Sequence, residues 1–182
     1  DVHDLGVREL FSGRPQVYFS SDFRDIDLYV LTTVLQYGRA SGIIEGYLRD
    51  LEASPGKVSR FVGEVRSVPR SGISQRISVD LIELITEAGT GIGAAQRAFL
   101  HRSDEYGYRQ LGLRAELKDD RLQIEGTVEK GGKKYFMIGS TFGGINVQLV
   151  SPQKGMGYEQ YLDYIRKQLE SLKQRKPRIN TQ

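Results

Sequence analysis

The sequence predicts an α+β domain built on a curved antiparallel meander sheet, with one apolar face covered by two to four amphipathic helices. Three observations carry this prediction. There are 21 glycines in 182 residues, dispersed without a fixed period, which is typical of many turns between short strands. Apolar and polar residues alternate in several segments, as half-buried strands require. Other segments carry apolar residues at helical spacing.

In the first half of the chain, strands and helices are predicted in turn. Three segments have strand character: residues 16–23, 41–51 and 57–68. Residues 1–14 show no clear period. A helix capped by Asp25 or Asp27 is predicted to run to about Tyr37, with Leu28, Leu31, Val34 and Leu35 at helical spacing. A second helix is predicted after Ser78, ending at about Ala88.

The second half contains the clearest alternation. Residues 111–118 and 122–129 alternate strictly on either side of an Asp119-Asp120 turn, and Gly131-Gly132 makes the next turn. Residues 135–139 and 145–149 complete a predicted four-stranded meander with one apolar and one polar side. An amphipathic helix is predicted from Tyr158 to about Lys176, where Pro177 prevents its continuation.

The apolar positions of these hairpins are the candidate hydrophobic groove. They are Leu113, Ala115, Leu117, Leu122, Ile124 and Val128. Covering such a face stabilises the protein by about 25 cal/mol per Å², whether a helix or an acyl chain supplies the cover. The residues alone therefore leave two interpretations open, core packing and lipid contact.

The side chains that carry chemistry are few, and we predict no catalytic residue, metal site or cofactor. The chain has no cysteine and only two histidines, His3 and His101, so thiolate metal sites and cysteine nucleophiles are excluded. Residues 89–94 match the letters G-x-G-x-x-A, but they follow a predicted helix, whereas a dinucleotide site requires that turn between a strand and a helix. No apolar run reaches the ~20 residues that span a bilayer.

The positive charge is concentrated near the end of the chain. The net charge is +3, and the candidate membrane or partner contacts are Lys173, Arg175, Lys176 and Arg178. Residues 177–182 are predicted to form a polar basic tail, and a solvated end that keeps the chain soluble is the alternative interpretation. We expect no binding to nucleic acid.

One arrangement of segments resembles a known family. An amphipathic helix after Asp25 leads into residues 41–51 (SGIIEGYLRDL), and later come residues 75–79 (QRISV), a helix, a glycine-rich stretch and residues 108–126. Over residues 16–152 this pattern resembles the carboxy-terminal part of AsmA-like proteins, the bacterial relatives of bridge-like lipid-transfer proteins.

The resemblance implies a location and a function. Such proteins are anchored in the inner membrane and cross the periplasm, and an apolar β-sheet trough carries phospholipid toward the outer membrane. This chain, read as a single domain of 182 residues beginning with Asp1, is then expected to be the C-terminal piece of a larger, upstream-anchored protein. It is expected to be a non-catalytic module for phospholipid transport or outer-membrane maintenance. A protein-interaction or assembly domain of the cell envelope, without lipid binding, is the alternative. The expected partners are phospholipid or another envelope protein.

Overall fold

The computed structural model describes residues 1–9, 11, 15–35, 38–89, 100, 103–141, 144–149 and 156–175. Within these residues the chain forms twelve strands and three helices. They are β1 (Val2–Arg8), β2 (Gln16–Asp27), α1 (Leu28–Leu35), β3 (Ala40–Ser41), β4 (Ile43–Ser54), β5 (Lys57–Val68), β6 (Arg76–Ser78), α2 (Val79–Gly89), β7 (Glu105–Lys118), β8 (Arg121–Gly126), β9 (Val128–Lys130), β10 (Lys133–Tyr135), β11 (Met137–Gly139), β12 (Met156–Gly157) and α3 (Tyr158–Arg175).

An open, curved antiparallel sheet dominates the fold, which confirms the α+β class. Its strands lie in the order β1-β2-β4-β5-β7-β8-β12. Neighbours in space are mostly neighbours in sequence, as in a meander, with α1 and α2 inserted between successive strands. The bounds predicted for β5 match those observed, and the Asp27 carboxylate caps α1 by accepting a 2.8 Å hydrogen bond from Tyr29 N.

Strand β7 is 14 residues long, so its two halves can pair with different strands. Its C-terminal half pairs with β5 and β8, and its N-terminal half pairs with β6 and β11. The larger hydrophobic core lies at the N-terminal half, where Ile77, Ile82, Leu100, Phe136 and Met137 are fully buried. A smaller core lies at the C-terminal half, around Leu117.

Three irregularities bend the long strands at aspartates. The pairing register shifts beside Asp4, Asp25 and Asp50, and each of these residues has a positive φ between 50° and 55°. Aspartate tolerates this left-handed conformation better than most residues do, because its short side chain bonds to the local backbone. Such bulges increase the twist of a strand and bend it.

Two sequence expectations about strands were wrong. Residues 1–14, which show no clear period, contain β1, whose register shift between His3 and Gly6 breaks the alternation. The four-stranded meander stops after β8. The chain then forms a separate β9–β10 ribbon, and β11 returns to pair with β7. In residues 145–149 only an isolated bridge joins Val147 to Met137.

Candidate functional site

Four rows of paired residues cross the sheet on one side, because residues paired across antiparallel strands point the same way. We call them the apolar rows. The longest runs over six strands, through Val2, Ser21, Leu48, Gly63, Ala115 and Ile124. Parallel to it run Phe23, Gly46, Val65, Leu113 and Gly126. A third row, on the other flank of the longest row, consists of Val7, Val17, Ala53 and Val58. The fourth row lies between the third row and the longest row. It has two parts, the pair Phe19–Leu51 and the series Phe61, Leu117 and Leu122.

At the β7–β8 end the apolar rows are packed. Leu117, Leu122 and Ile124 are buried, and Leu149, Tyr158 and Tyr161 pack against them. The helix that carries both tyrosines starts against the β7–β8 turn, where Tyr158 N donates a 2.9 Å hydrogen bond to Asp120 O. Burial raises the pKa of Tyr161 to about 12.

The structure brings together five of the six predicted groove residues. Leu113 and Ala115 are partly buried against the cluster of Leu117, Leu122 and Ile124. Val128 lies elsewhere, in the β9–β10 ribbon, where it pairs with Tyr135. The alternation that continues through Gly126 into Val128 predicts which residues share a side, but it does not reveal that β8 ends at Gly126 and that Val128 starts another strand.

At the β1–β2 end the apolar rows are open. Val2 is 62% exposed, Val7 is 51% exposed and Val17 is 38% exposed. The exposed fraction of the longest row thus rises from 8% at Ile124 to 62% at Val2. Sequence reasoning missed this region because β1 was not predicted.

The longest row has two small residues side by side near its middle. Gly63 on β5 pairs with Ala115 on β7, and Leu48 on β4 separates them from Ser21 on β2. A Cβ atom added at Gly63 would meet Leu48 Cδ1 at 3.5 Å, an ordinary contact. A Cβ atom therefore fits at Gly63, in contact with the side chains of Leu48 and Phe61.

The opposite side of the sheet carries matched charges. Asp22 Oδ1 accepts a hydrogen bond from Arg49, while His3 Nε2 lies 2.9 Å from Asp22 Oδ2. The hydrogen bond from Arg49, and then that from His3, lower the pKa of Asp22. Farther along, Tyr47 donates a 3.1 Å hydrogen bond to Glu64 and accepts one from Arg114. These charged and polar groups bond to one another, so the solvent-facing side of the sheet carries paired charges.

Other predicted contacts fall near or beyond the described residues. Lys173 and Arg175 belong to the last turns of α3, whereas Lys176 and Arg178, like His101, lie outside the described residues. Among the residues that are described, no group of three or more histidine, aspartate or glutamate side chains is placed to hold a metal ion. None of the described helices has the length and apolarity to cross a bilayer.

Comparison with known proteins gives no relative. No protein-family model matches the chain, and neither the curated proteins nor the solved structures include a significant match.

Proposed function

We propose that this chain is a non-catalytic module of a periplasmic AsmA-like protein that takes part in phospholipid transport or outer-membrane maintenance. The full-length protein is anchored in the inner membrane in this proposal. The apolar rows form one continuous apolar face of the sheet. Helices α2 and α3 cover it at the β8 end, and acyl chains cover it at the β1–β2 end.

The observation that supports this proposal is the gradient of exposure along the longest apolar row. A sheet with a one-sided apolar face must cover that face. In an ordinary core the cover extends across all strands, whereas here Ile124 is buried and Val2 is open to solvent. Each CH₂ group of an acyl chain that leaves water on this surface contributes about 0.8 kcal/mol.

The packed and open ends have different roles in the proposal. Leu117, Leu122 and Ile124 are core, because Tyr158 and Tyr161 already occupy the space above them. The lipid surface consists of Val2, Val7, Val17, Phe19 and Leu51, with Gly63 and Ala115 as its floor. Lys173, Arg175, Lys176 and Arg178 contact anionic headgroups or a partner at the end of α3.

Native mass spectrometry of the purified chain tests this proposal. We expect bound phospholipid, and we expect a Val7→Lys/Val17→Glu variant to lose it. The two residues pair across β1 and β2, so the opposite charges support the strand pairing while they place ions in the path of an acyl chain.

Gln16→Glu is the matched control. Gln16 pairs with Arg8 on the other side of β2, so this variant adds a carboxylate without entering the apolar rows, and it should keep its lipid. A wild-type chain that carries no lipid and takes up none from added phospholipid would contradict the proposal.

A second candidate function is assembly with another envelope protein through β1. This strand ends the sheet, and beyond β2 it pairs with no other strand in the described part of the chain. An exposed strand edge is a template for strand addition from a partner. Lipid-free protein that instead binds an envelope protein, and loses that binding when Val7 is replaced by proline, would favour this function.

A further inference from the structure

Helix α1 presents apolar side chains to solvent. Tyr29 is 57% exposed, Val30 58%, Leu31 38% and Val34 73%. Val30 and Val34 are one turn apart and Leu31 precedes Val34 by three residues, so these side chains are neighbours on the helix surface. We call Tyr29, Val30, Leu31 and Val34 the α1 patch.

The orientation of α1 is fixed by hydrogen bonds on its inner side. The Thr32 hydroxyl is buried, donates a 2.8 Å hydrogen bond to Leu28 O and accepts a 3.2 Å bond from Ala40 N. Leu28 N donates to Gly42 O at 2.9 Å. These bonds tie the helix to β3 and to the start of β4, and they hold the α1 patch outward.

This arrangement is the inverse of an ordinary surface helix, which faces the core with its apolar stripe and solvent with its charges. Here the helix LYVLTTVL has no charged residue, and it buries a threonine while exposing three aliphatic side chains. The sequence spacing of Leu28, Leu31, Val34 and Leu35 indicated a buried stripe, but Leu31 and Val34 are exposed. Such an outward apolar surface is typical of a site that contacts another protein, a ligand or a membrane.

The size and chemistry of the α1 patch fit a bilayer better than a protein. Four side chains on an eight-residue helix offer only a few hundred Å², below the ~800 Å² per partner of a stable protein interface. Specific protein interfaces also carry about one hydrogen bond per 100–200 Å², whereas the polar groups on this surface are only the hydroxyls of Tyr29 and of the exposed Thr33 one turn later. Tyrosine with aliphatic residues is the composition of segments that lie at the membrane–water interface.

The charged groups around α1 offset one another. Arg70 pairs with Asp25 at 2.5 Å, and Arg39 and Arg76 share Glu105 at 3.8 Å and 3.0 Å. The exposed Asp27 at the start of the helix supplies a third carboxylate. Attraction of these groups to anionic headgroups is therefore weak, and burial of the α1 patch has to supply the binding.

We propose that α1 is a membrane-insertion element that places Tyr29, Val30, Leu31 and Val34 in the interfacial layer of a phospholipid bilayer. This inference stands on α1 alone and does not require the sheet to carry lipid.

A tryptophan reporter tests the insertion directly. The chain contains no tryptophan, so Tyr29→Trp introduces a single fluorophore in the α1 patch. We expect its emission to shift to the blue with phosphatidylcholine vesicles, and to a similar extent when phosphatidylglycerol is added. Tyr18→Trp is the control reporter, because Tyr18 stacks against Arg8 on the charged side of the sheet. Its emission should not change.

A second variant separates α1 from the other lipid-binding surfaces. Adding Val30→Gln and Val34→Gln to the reporter protein should weaken vesicle binding at least tenfold, since two exposed apolar side chains no longer enter the bilayer. The same changes should leave co-purified lipid in place, whereas Val7→Lys/Val17→Glu should remove that lipid and leave vesicle binding intact.

Three results would overturn the inference. One is the absence of a blue shift with either kind of vesicle. Another is binding that needs anionic lipid, falls with salt and survives the two glutamines, which would assign it to the basic end of α3. The third is a concentration-dependent blue shift without vesicles together with a doubled mass in light scattering, which would assign the α1 patch to contact with a second copy of the chain.

Discussion

Two glycines of the sheet differ in how much space surrounds them. Gly46 and Gly63 both belong to the apolar rows. A Cβ atom at Gly46 would come within 2.0 Å of Glu64 O, whereas a Cβ atom at Gly63 would make only ordinary contacts. Gly46 is therefore required by close approach of the backbone, and Gly63 is not required by the fold.

We predict opposite effects of alanine at these two positions. Gly63→Ala should raise the free energy of unfolding by about 0.5–1 kcal/mol, because glycine in a strand loses more backbone freedom on folding than alanine does. Gly46→Ala should lower it by about 1–3 kcal/mol through overpacking. Urea denaturation of both variants measures the difference, and a loss of stability in both would show that the space above Gly63 is not free.

Gly63 also connects stability to the proposed function. Gly63→Val fills the floor of the longest apolar row with a residue that favours strands. We predict that it keeps the fold and lowers the amount of co-purified phospholipid in native mass spectra. Equal lipid content in wild type and variant would place the acyl chains elsewhere.

At the scale of elements, the β7–β8 hairpin shows local chemistry that was predictable. Asp119 and Asp120 both have left-handed φ, 51° and 59°, as a two-residue type I′ turn requires. Glycine is the preferred residue at the second of these positions. Asp120→Gly should therefore raise the free energy of unfolding by about 1 kcal/mol, measured by thermal or urea denaturation. An unchanged or lower stability would mean that the Asp120 side chain stabilises the turn.

The predictions that were confirmed and those that were wrong differ in how far apart the interacting residues lie along the sequence. The turn at Asp119-Asp120 and the bounds of β5 depend on residues next to one another, and the sequence predicts them. For the cap of α1 the sequence offered Asp25 or Asp27, and the structure uses Asp27. The sequence does not predict that the chain leaves the meander after β8, because alternation specifies which residues share a side but not which strand they pair with. The outward side of α1 depends on the contact of Thr32 with Ala40, which are eight residues apart and brought together by the fold.

The candidate site was predictable in part for the same reason. Strict alternation predicts that Leu117, Leu122 and Ile124 share one side of the sheet, and the structure packs them as core. The open end of the apolar rows was not, because the left-handed Asp4 shifts the register within β1 and hides its period. The exposure gradient exists only once six strands are aligned, so no single segment of the sequence contains it.

At the scale of the whole molecule, two buried tyrosines make the free energy of unfolding depend on pH in the alkaline range. Burial raises the pKa of Tyr108 and of Tyr161 to about 12, from 10.0. Each group binds its proton more tightly in the folded state, so stability is unaffected below pH 10 and falls as pH rises from 10 to 12. Tyr161→Phe should reduce this fall while leaving the stability at pH 7 nearly unchanged. Denaturation curves at pH 8, 10, 11 and 12 measure it, and an identical pH dependence in the variant would contradict the prediction.

The position of β7 has a consequence for how the protein folds. The strands β1, β2, β4 and β5 follow one another closely along the chain, so they can pair early through short loop closures. Strand β7 joins them only after the intervening segment has closed, and its two halves contact partners both before and after it in sequence. Long-range pairing of this kind slows folding. Docking of β7 is therefore the expected rate-limiting event, and until it occurs the outer edge of β5 remains available for misassociation between chains.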